Sequence, residues 1–472
     1  MKTSIVIAES NISFGTSGAR GLVVDFTPEV SMAFAYAFSA VVRDTAHVDT
    51  MALGIDNRPS SYAIAMACAS ALISSGIKPI FYGVIPTPAL AAKAKSDCIP
   101  AIMVTGSHIP FDRNGLKFYR PEGEITKEDE KNIINKSIDF TSSKTLPDLT
   151  VDTAAVNYYI ERYLHLFDEP IFKGLRIGIY EHSSAGRNIY YKIFSSLGGE
   201  VIRLGRSDEF VPIDTEAVSD DDKKKAIIWS KQYQLDVVFS TDGDGDRPLV
   251  ADEHGNWIRG DILGLLCSQE LGINAVAVPV SCNTSISQSG FFNEVMLTKI
   301  GSPYVIEAFS SLASRHAKIA GFEPNGGYLL GTDLLYHGKE LSALPTRDAV
   351  LPVIMLLAAT RNATISQLIS KLPQRFTYSD RLQNFATEIS ALIVKNAIKD
   401  PSVFLKLAGL SEFKVVSVDH TDGVRLFLDN NSVVHIRPSG NAPEFRCYAE
   451  AESEEYAKFL VQLVLENVNK LK

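Results

Sequence analysis

The chain has 472 residues, 46% of them apolar, with 46 Lys and Arg against 55 Asp and Glu and a net charge of -9. That length holds about three or four ordinary domains, and an acidic balance without any basic tract argues against a nucleic-acid or anionic-membrane surface. The five cysteines are scattered with no CxxC pair, which argues against a disulfide framework or a zinc site and fits a reducing, cytoplasmic setting. The first residues, MKTSIVIAES, carry no signal-peptide pattern, and no apolar run reaches the ~18 residues of a membrane span.

In chain order, the spacing predicts a helix over 62–74 and a strand at 99–104, an apolar, β-branched run that ends in the polar turn TGSH. The stretch TSSKTLPDLTVDT (141–153) reads as a linker. A helix over 154–167 follows, then strands at 175–180 and 236–240, the second leading into TDGDGDR. A break falls near 252–260, a strand at 275–280, and another glycine-rich loop, AGFEPNGG, comes after Ile319. Past a break near 372–380, the tail mixes helices with strands at 413–418, 424–428 and 433–436, as a separate α+β unit would. Alternating strands and helices predict an α/β architecture with parallel or mixed sheets, in units 1–150, 151–255, 256–372 and 373–472. Open α/β sheets bind ligands beyond the carboxyl ends of their strands, so the three polar loops are expected to line one cleft.

Asp242, Asp244 and Asp246 alternate with glycines and precede Arg247. Three carboxylates so close repel one another unless a cation joins them, and hard oxygen ligands suit Mg²⁺ or Ca²⁺ rather than zinc. An EF-hand loop fits poorly, although Glu253 takes its twelfth position: Arg247 stands at the sixth, where glycine is needed, and Pro248 follows. The segment VTGSHIPFDRNGLKFY presents Ser107, His108 and Lys117 without a GxSxG elbow. The serine is either a structural turn residue or a carrier of a phosphoryl group that a metal can bind; Lys117 can act as acid or base if its pKa is lowered. RPSGNAPEFR brings together Arg437, Ser439, Gly440, Asn441 and Arg446. It reads either as an anion cradle of arginine forks and free backbone N–H groups or as a plain hairpin turn.

Six motifs in order resemble those of the α-D-phosphohexomutase family: FGTSGARG (14–21), GIDNRPSS (54–61), TGSHIP (105–110), DGDGDR (242–247), GFEPNGG (321–327) and RPSGNAPEFR (437–446). The resemblance runs nearly end to end. It implies four domains around a central cleft, three similar α/β domains and a C-terminal α+β domain. It implies that Ser107 carries the transferred phosphoryl group and that its phosphate binds Mg²⁺ with Asp242, Asp244 and Asp246. Arg20, His108 and Lys117 fall at catalytic positions, Arg247, Glu323 and Asn325 at substrate-binding positions, and Arg437, Ser439, Gly440, Asn441 and Arg446 at phosphate-binding positions. The implied reaction interconverts hexose 6-phosphate and hexose 1-phosphate through a hexose 1,6-bisphosphate, which also serves as activator, in a cytoplasmic monomer or homodimer. Mannose phosphate is the first expected substrate, then glucose phosphate, then glucosamine phosphate. A silent sugar-phosphate-binding protein and a phosphatase are the readings from other classes. The chain departs from the usual pattern at Gly106 for alanine, expected only to loosen the loop, at Ile109 for asparagine, at Gly327 for histidine, and at Asn441 and Ala442 for threonine and glutamate.

Overall fold

The computed structural model describes residues 1–15, 18–143, 145–439 and 443–471. Strands buried on both faces set the architecture. In Ala101–Val104, side chains alternate across the sheet: Ala101 and Met103 enter one core with helix Thr87–Ser96, Ile102 and Val104 another with helices Pro28–Arg43 and Ser61–Ser74. This seven-stranded sheet runs Ser13–Phe14, Ala19–Leu22, Arg113–Arg120, Ala101–Val104, Thr50–Ile55, Lys78–Val84, with Gly123–Glu124 on Arg113–Arg120. Thr50–Ile55 is parallel to both of its neighbours, and Arg113–Arg120 is antiparallel to all three of its own, so the sheet is mixed.

Two further mixed sheets follow. One is ordered Trp257–Ile258, Pro248–Ala251, Val237–Thr241, Arg176–Tyr180, Glu200–Leu204. The next is ordered Glu294–Thr298, Ala275–Pro279, Ile319–Phe322, Tyr328–Leu330, Leu344–Asp348. The last sheet is wholly antiparallel: Phe376–Gln383, Glu444–Ala451, Val433–Pro438, Val424–Leu428, Val415–Asp419. The strand Phe376–Gln383 begins inside a stretch expected as a break. It is an edge strand with polar, largely exposed side chains, FTYSDRLQ, and so lacks the apolar run by which buried strands are read. Trp257–Ile258 likewise extends the second sheet into the break expected near 252–260.

All four site loops occupy the same kind of place. Each leaves the carboxyl end of a strand and returns as that strand's antiparallel neighbour: Val104 to Arg113, Thr241 to Pro248, Phe322 to Tyr328, Pro438 to Glu444. Leu90, Tyr159, Phe239, Leu266 and Ile354 share one continuous core, so apolar packing joins the first three sheets. The fourth has its own core, from Phe385 to Val468. It meets the third through polar contacts, Thr284 N to Glu450 Oε2 at 2.9 Å and Ile300 N to Asp422 Oδ2 at 3.1 Å among them. No helix among the described residues is long and apolar enough to cross a membrane.

Candidate active site

Beyond Val104 the chain turns at once, and Ser107 adopts a left-handed backbone, φ 55°, a conformation that costs a non-glycine residue about 1–2 kcal/mol. Arg58 holds it there. Its buried guanidinium donates to the carbonyls of Ser107 (2.9 Å), Ile109 (2.5 Å), Pro110 (2.6 Å) and Arg113 (2.9 Å), and to Asp56 Oδ2 at 3.1 Å. Thr105 accepts from Ser107 N at 2.8 Å and donates to Asp56 at 2.8 Å. A Cβ on Gly106 would lie 2.6 Å from Arg58 Cζ. The glycine therefore admits this clamp, which corrects the expectation that it merely loosens the loop. Ile109 serves through its carbonyl, whatever its side chain lacks.

The aspartate loop is the turn between Val237–Thr241 and Pro248–Ala251. It lies against the serine loop so closely that a Cβ on Gly243 would sit 2.8 Å from Ser107 O. Ser107 Oγ donates to Asp242 Oδ2 at 2.6 Å. Lys117 Nζ donates to Asp244 Oδ2 at 2.6 Å and Asp246 Oδ2 at 2.7 Å, and Thr87 Oγ1 to Asp244 Oδ2 at 2.6 Å. Asp242, Asp244 and Asp246 are all buried, with one oxygen of each within 4.8 Å of the others. Asp244 Oδ1 and Asp246 Oδ1 are buried without a hydrogen-bond partner among the described residues. Burial, then Asp244 and Asp246, push Asp242 well above the usual carboxylate range. Carboxylate oxygens so placed, crowded and short of donors, fit a hard divalent cation such as Mg²⁺.

Burial alone would lower the pKa of Lys117, but Asp244 and Asp246 outweigh it and raise it. The condition set for an acid–base role, a lowered pKa, is therefore not met: the two carboxylates hold this lysine as an ammonium. His108 is the opposite case. Burial, then Arg247 and Arg20, push it down to about 3. Its Nδ1 lies 3.1 Å from Arg247 Nη1 and 3.3 Å from Ser107 Oγ; since a guanidinium only donates, the ring is neutral and Nδ1 accepts. Arg20, on Ala19–Leu22, is lowered to about 10 by burial and then by Arg247, and remains a cation beside Asp244 and Asp246.

Glu323 and Asn325 sit buried in the hairpin turn between Ile319–Phe322 and Tyr328–Leu330. Asn325 shapes that turn: its Oδ1 accepts from Gly327 N at 3.0 Å and its carbonyl from Thr215 Oγ1 at 2.8 Å. Glu323 Oε2 accepts from Arg347 Nη1 at 3.2 Å.

Arg437 and Arg446 face each other as register partners on adjacent strands. Arg437 Nη1 donates to Asp422 Oδ2 at 2.5 Å, and Arg446 Nη2 to Glu444 Oε2 at 3.0 Å. Ser439 N donates to Glu444 O at 3.0 Å. Gly440 and Asn441 lie outside the described residues. A cavity of about 730 Å³ bordered by Gly15, Lys127, Lys299, Asp422 and Arg437 opens beside this hairpin.

Three family models match the chain: phosphoglucomutase/phosphomannomutase alpha/beta/alpha domain I over residues 11–144, alpha/beta/alpha domain III over 259–376 and the C-terminal domain over 391–466. A phosphomannomutase of Salmonella muenchen is 59% identical over 463 residues, covering 98% of this chain and 97% of that one. The chain belongs to the phosphoglucomutase/phosphomannomutase family. Within the family, a phosphomannomutase of Sinorhizobium fredii is 39% identical across 95% of this chain and 97% of that one. Among solved structures, a phosphoglucomutase/phosphomannomutase family protein of Burkholderia thailandensis matches with a TM-score of 0.76 at 19% identity, covering 97% of each chain. An Aspergillus fumigatus N-acetylphosphoglucosamine mutase, solved with GlcNAc-6P and magnesium, matches with a TM-score of 0.61 at 13% identity, covering 99% of this chain and 98% of that one. At these identities the structural likeness speaks for the fold.

As a member of this family the chain is an enzyme of the mutase type. The mutase holds its serine and aspartate loops with residues to which sequence reading assigned no role. Asp56 and Arg58 lie within GIDNRPSS, a motif that was visible although its task was not. Thr87 and Arg347 carry no local signal at all.

Proposed function

We propose that this chain is a phosphomannomutase, interconverting mannose 6-phosphate and mannose 1-phosphate through a phosphoserine at Ser107 and a hexose 1,6-bisphosphate. The seat of Ser107 carries the reading: a buried hydroxyl 2.6 Å from Asp242, within a group of three buried carboxylates, in a chain 59% identical to a phosphomannomutase over nearly its whole length.

Phospho-Ser107 transfers its phosphoryl group to a free sugar hydroxyl. The Oγ–P bond breaks, a bond from the hydroxyl oxygen to phosphorus forms, and the hydroxyl proton leaves to a base. The proton lost by the sugar hydroxyl ends on the departing serine oxygen, and His108, whose Nδ1 lies 3.3 Å from Ser107 Oγ, and Lys117 stand at the positions for that proton transfer. Asp242, Asp244 and Asp246, with an oxygen on Ser107, would hold Mg²⁺, whose charge stabilises the transferring group when bound. Arg20 and Arg247 add positive field at the same place. Glu323 and Asn325 hold the sugar hydroxyls, and Arg437, Ser439, Gly440, Asn441 and Arg446 grip the phosphate that is not reacting. Such a remote grip orients the bisphosphate before and after it turns around, so that the second phosphoryl group returns to Ser107.

The same reading takes 1–150, 151–255, 256–372 and 373–472 as the domains and a monomer or homodimer as the working form. Five free cysteines support a cytoplasmic setting. The test is a comparison of kcat/KM for mannose 1-phosphate, glucose 1-phosphate and glucosamine 1-phosphate with the bisphosphate present in catalytic amount. Mannose 1-phosphate is expected to lead. A lead for another sugar replaces the substrate, release of inorganic phosphate without isomerisation makes the protein a phosphatase, and no turnover leaves a binding protein.

A further inference from the structure

Arg347 lies on the edge strand Leu344–Asp348 of the third sheet, and its side chain is only 2% exposed. Its Nε donates to Asp246 Oδ2 at 3.1 Å, in the aspartate loop. Its Nη1 donates to Glu323 Oε2 at 3.2 Å, in the sugar-side loop, and to Ser302 Oγ at 3.2 Å. Ser302 Oγ in turn donates to Glu124 Oε2 at 3.2 Å, and Thr346 Oγ1 to Glu124 Oε1 at 2.7 Å, so the tie reaches the first sheet as well. One rigid guanidinium thus spans two carboxylates on loops from different sheets, a geometry that its planar fork serves and a flexible ammonium does not.

Gly327 makes room for it. A Cβ there would lie 2.5 Å from both Cγ and Cδ of Arg347. The departure from histidine at this position therefore has a physical partner: the loop gives up a side chain and the neighbouring strand supplies a cation in the same space.

We propose that Arg347 is a positioning residue of the sugar site, fixing the Glu323 carboxylate relative to the aspartate loop, and that Gly327 is the vacancy this role requires. The proposal rests on the reading of Glu323 as the group that holds sugar hydroxyls. Asp246 anchors one end of the tie and Glu323 the other, so one side chain links the sugar grip directly to the aspartate loop.

The experiment measures mannose 1-phosphate affinity by titration calorimetry on the full-length, dephosphorylated, metal-free protein, alongside KM and kcat, for Arg347→Lys, Gly327→Ala, Glu323→Gln and the double variant Arg347→Lys/Glu323→Gln. Thermal unfolding confirms that each is folded. Arg347→Lys keeps the charge but not the fork, and is expected to weaken sugar-phosphate binding about tenfold, as loss of one charged hydrogen bond does. Gly327→Ala, which pushes the arginine stem aside without removing it, is expected to reproduce that loss. The double variant is expected to bind no worse than Glu323→Gln alone, since the two act as a unit. Losses that add independently, or an Arg347→Lys protein that melts lower but binds normally, overturn the proposal and leave the sugar-site reading standing. Normal binding by Glu323→Gln removes that reading and this inference with it.

Discussion

Ser107 and Asp242 stand 135 residues apart in the chain, yet the serine hydroxyl donates to the aspartate carboxylate at 2.6 Å. Any phosphoryl group on Ser107 would therefore stand beside the carboxylate cluster. Ser107→Ala is expected to lower mutase turnover by about a thousandfold or more while the fold survives. Turnover, circular dichroism and the intact mass before and after incubation with bisphosphate check it. A variant that turns over normally would remove the serine from the chemistry.

Removal of divalent metal tests the cluster itself. EDTA is expected to abolish turnover and Mg²⁺ to restore it, because Asp242, Asp244 and Asp246 are buried with two oxygens unpartnered among the described residues. Asp244→Asn should weaken Mg²⁺ binding as read by calorimetry, and unchanged binding would place the ion elsewhere.

Arg58 clamps four carbonyls of the serine loop and pairs with Asp56, both side chains being fully buried. Arg58→Ala leaves Asp56 as an uncompensated buried charge and is expected to cost about 3–5 kcal/mol of stability. Denaturant unfolding measures this, and the phosphorylation level of Ser107 should fall with it as the left-handed turn relaxes.

Arg437→Ala should raise KM for the sugar phosphate by roughly tenfold to a hundredfold through a lost charged contact. Steady-state kinetics at saturating Mg²⁺ check it, and an unchanged KM would place the Arg437 hairpin outside the site. Arg437 also binds Asp422, so Asp422→Asn is a useful companion: freeing the guanidinium should not raise KM.

Stability should depend on pH through buried histidines. His182 donates from Nε2 to the Thr241 carbonyl at 2.9 Å, directly before the aspartate loop. Burial lowers its pKa from 6.5 to about 4, against the opposing effect of that bond. Below about 6.5 the unfolded chain takes up a proton that the folded one refuses until about 4. The contribution is therefore complete above pH 6.5 and lost as pH falls towards 4, worth at most about 3 kcal/mol. His182→Gln, which keeps a donor but does not titrate, should flatten the stability profile in that window. A variant with the same slope as the parent would assign the effect to other groups.

Much of the fold is legible in the sequence. The strands at 101–104, 176–180, 237–241 and 275–279 are rich in apolar, largely β-branched residues because both of their faces are covered. Ser107 and the three aspartates were legible because glycine-spaced polar residues at strand ends leave a local pattern. The strand Phe376–Gln383 was not, because an exposed edge needs no such run.

What only the tertiary structure decided are the partners of solitary side chains. Arg58 reaches Ser107 across 49 positions, Arg347 reaches Asp246 across 101 and Thr87 reaches Asp244 across 157. Local pattern records how a segment meets its own neighbours in the chain; which distant carbonyl or carboxylate a buried arginine satisfies depends on how the sheets pack, and that is settled by the core they share.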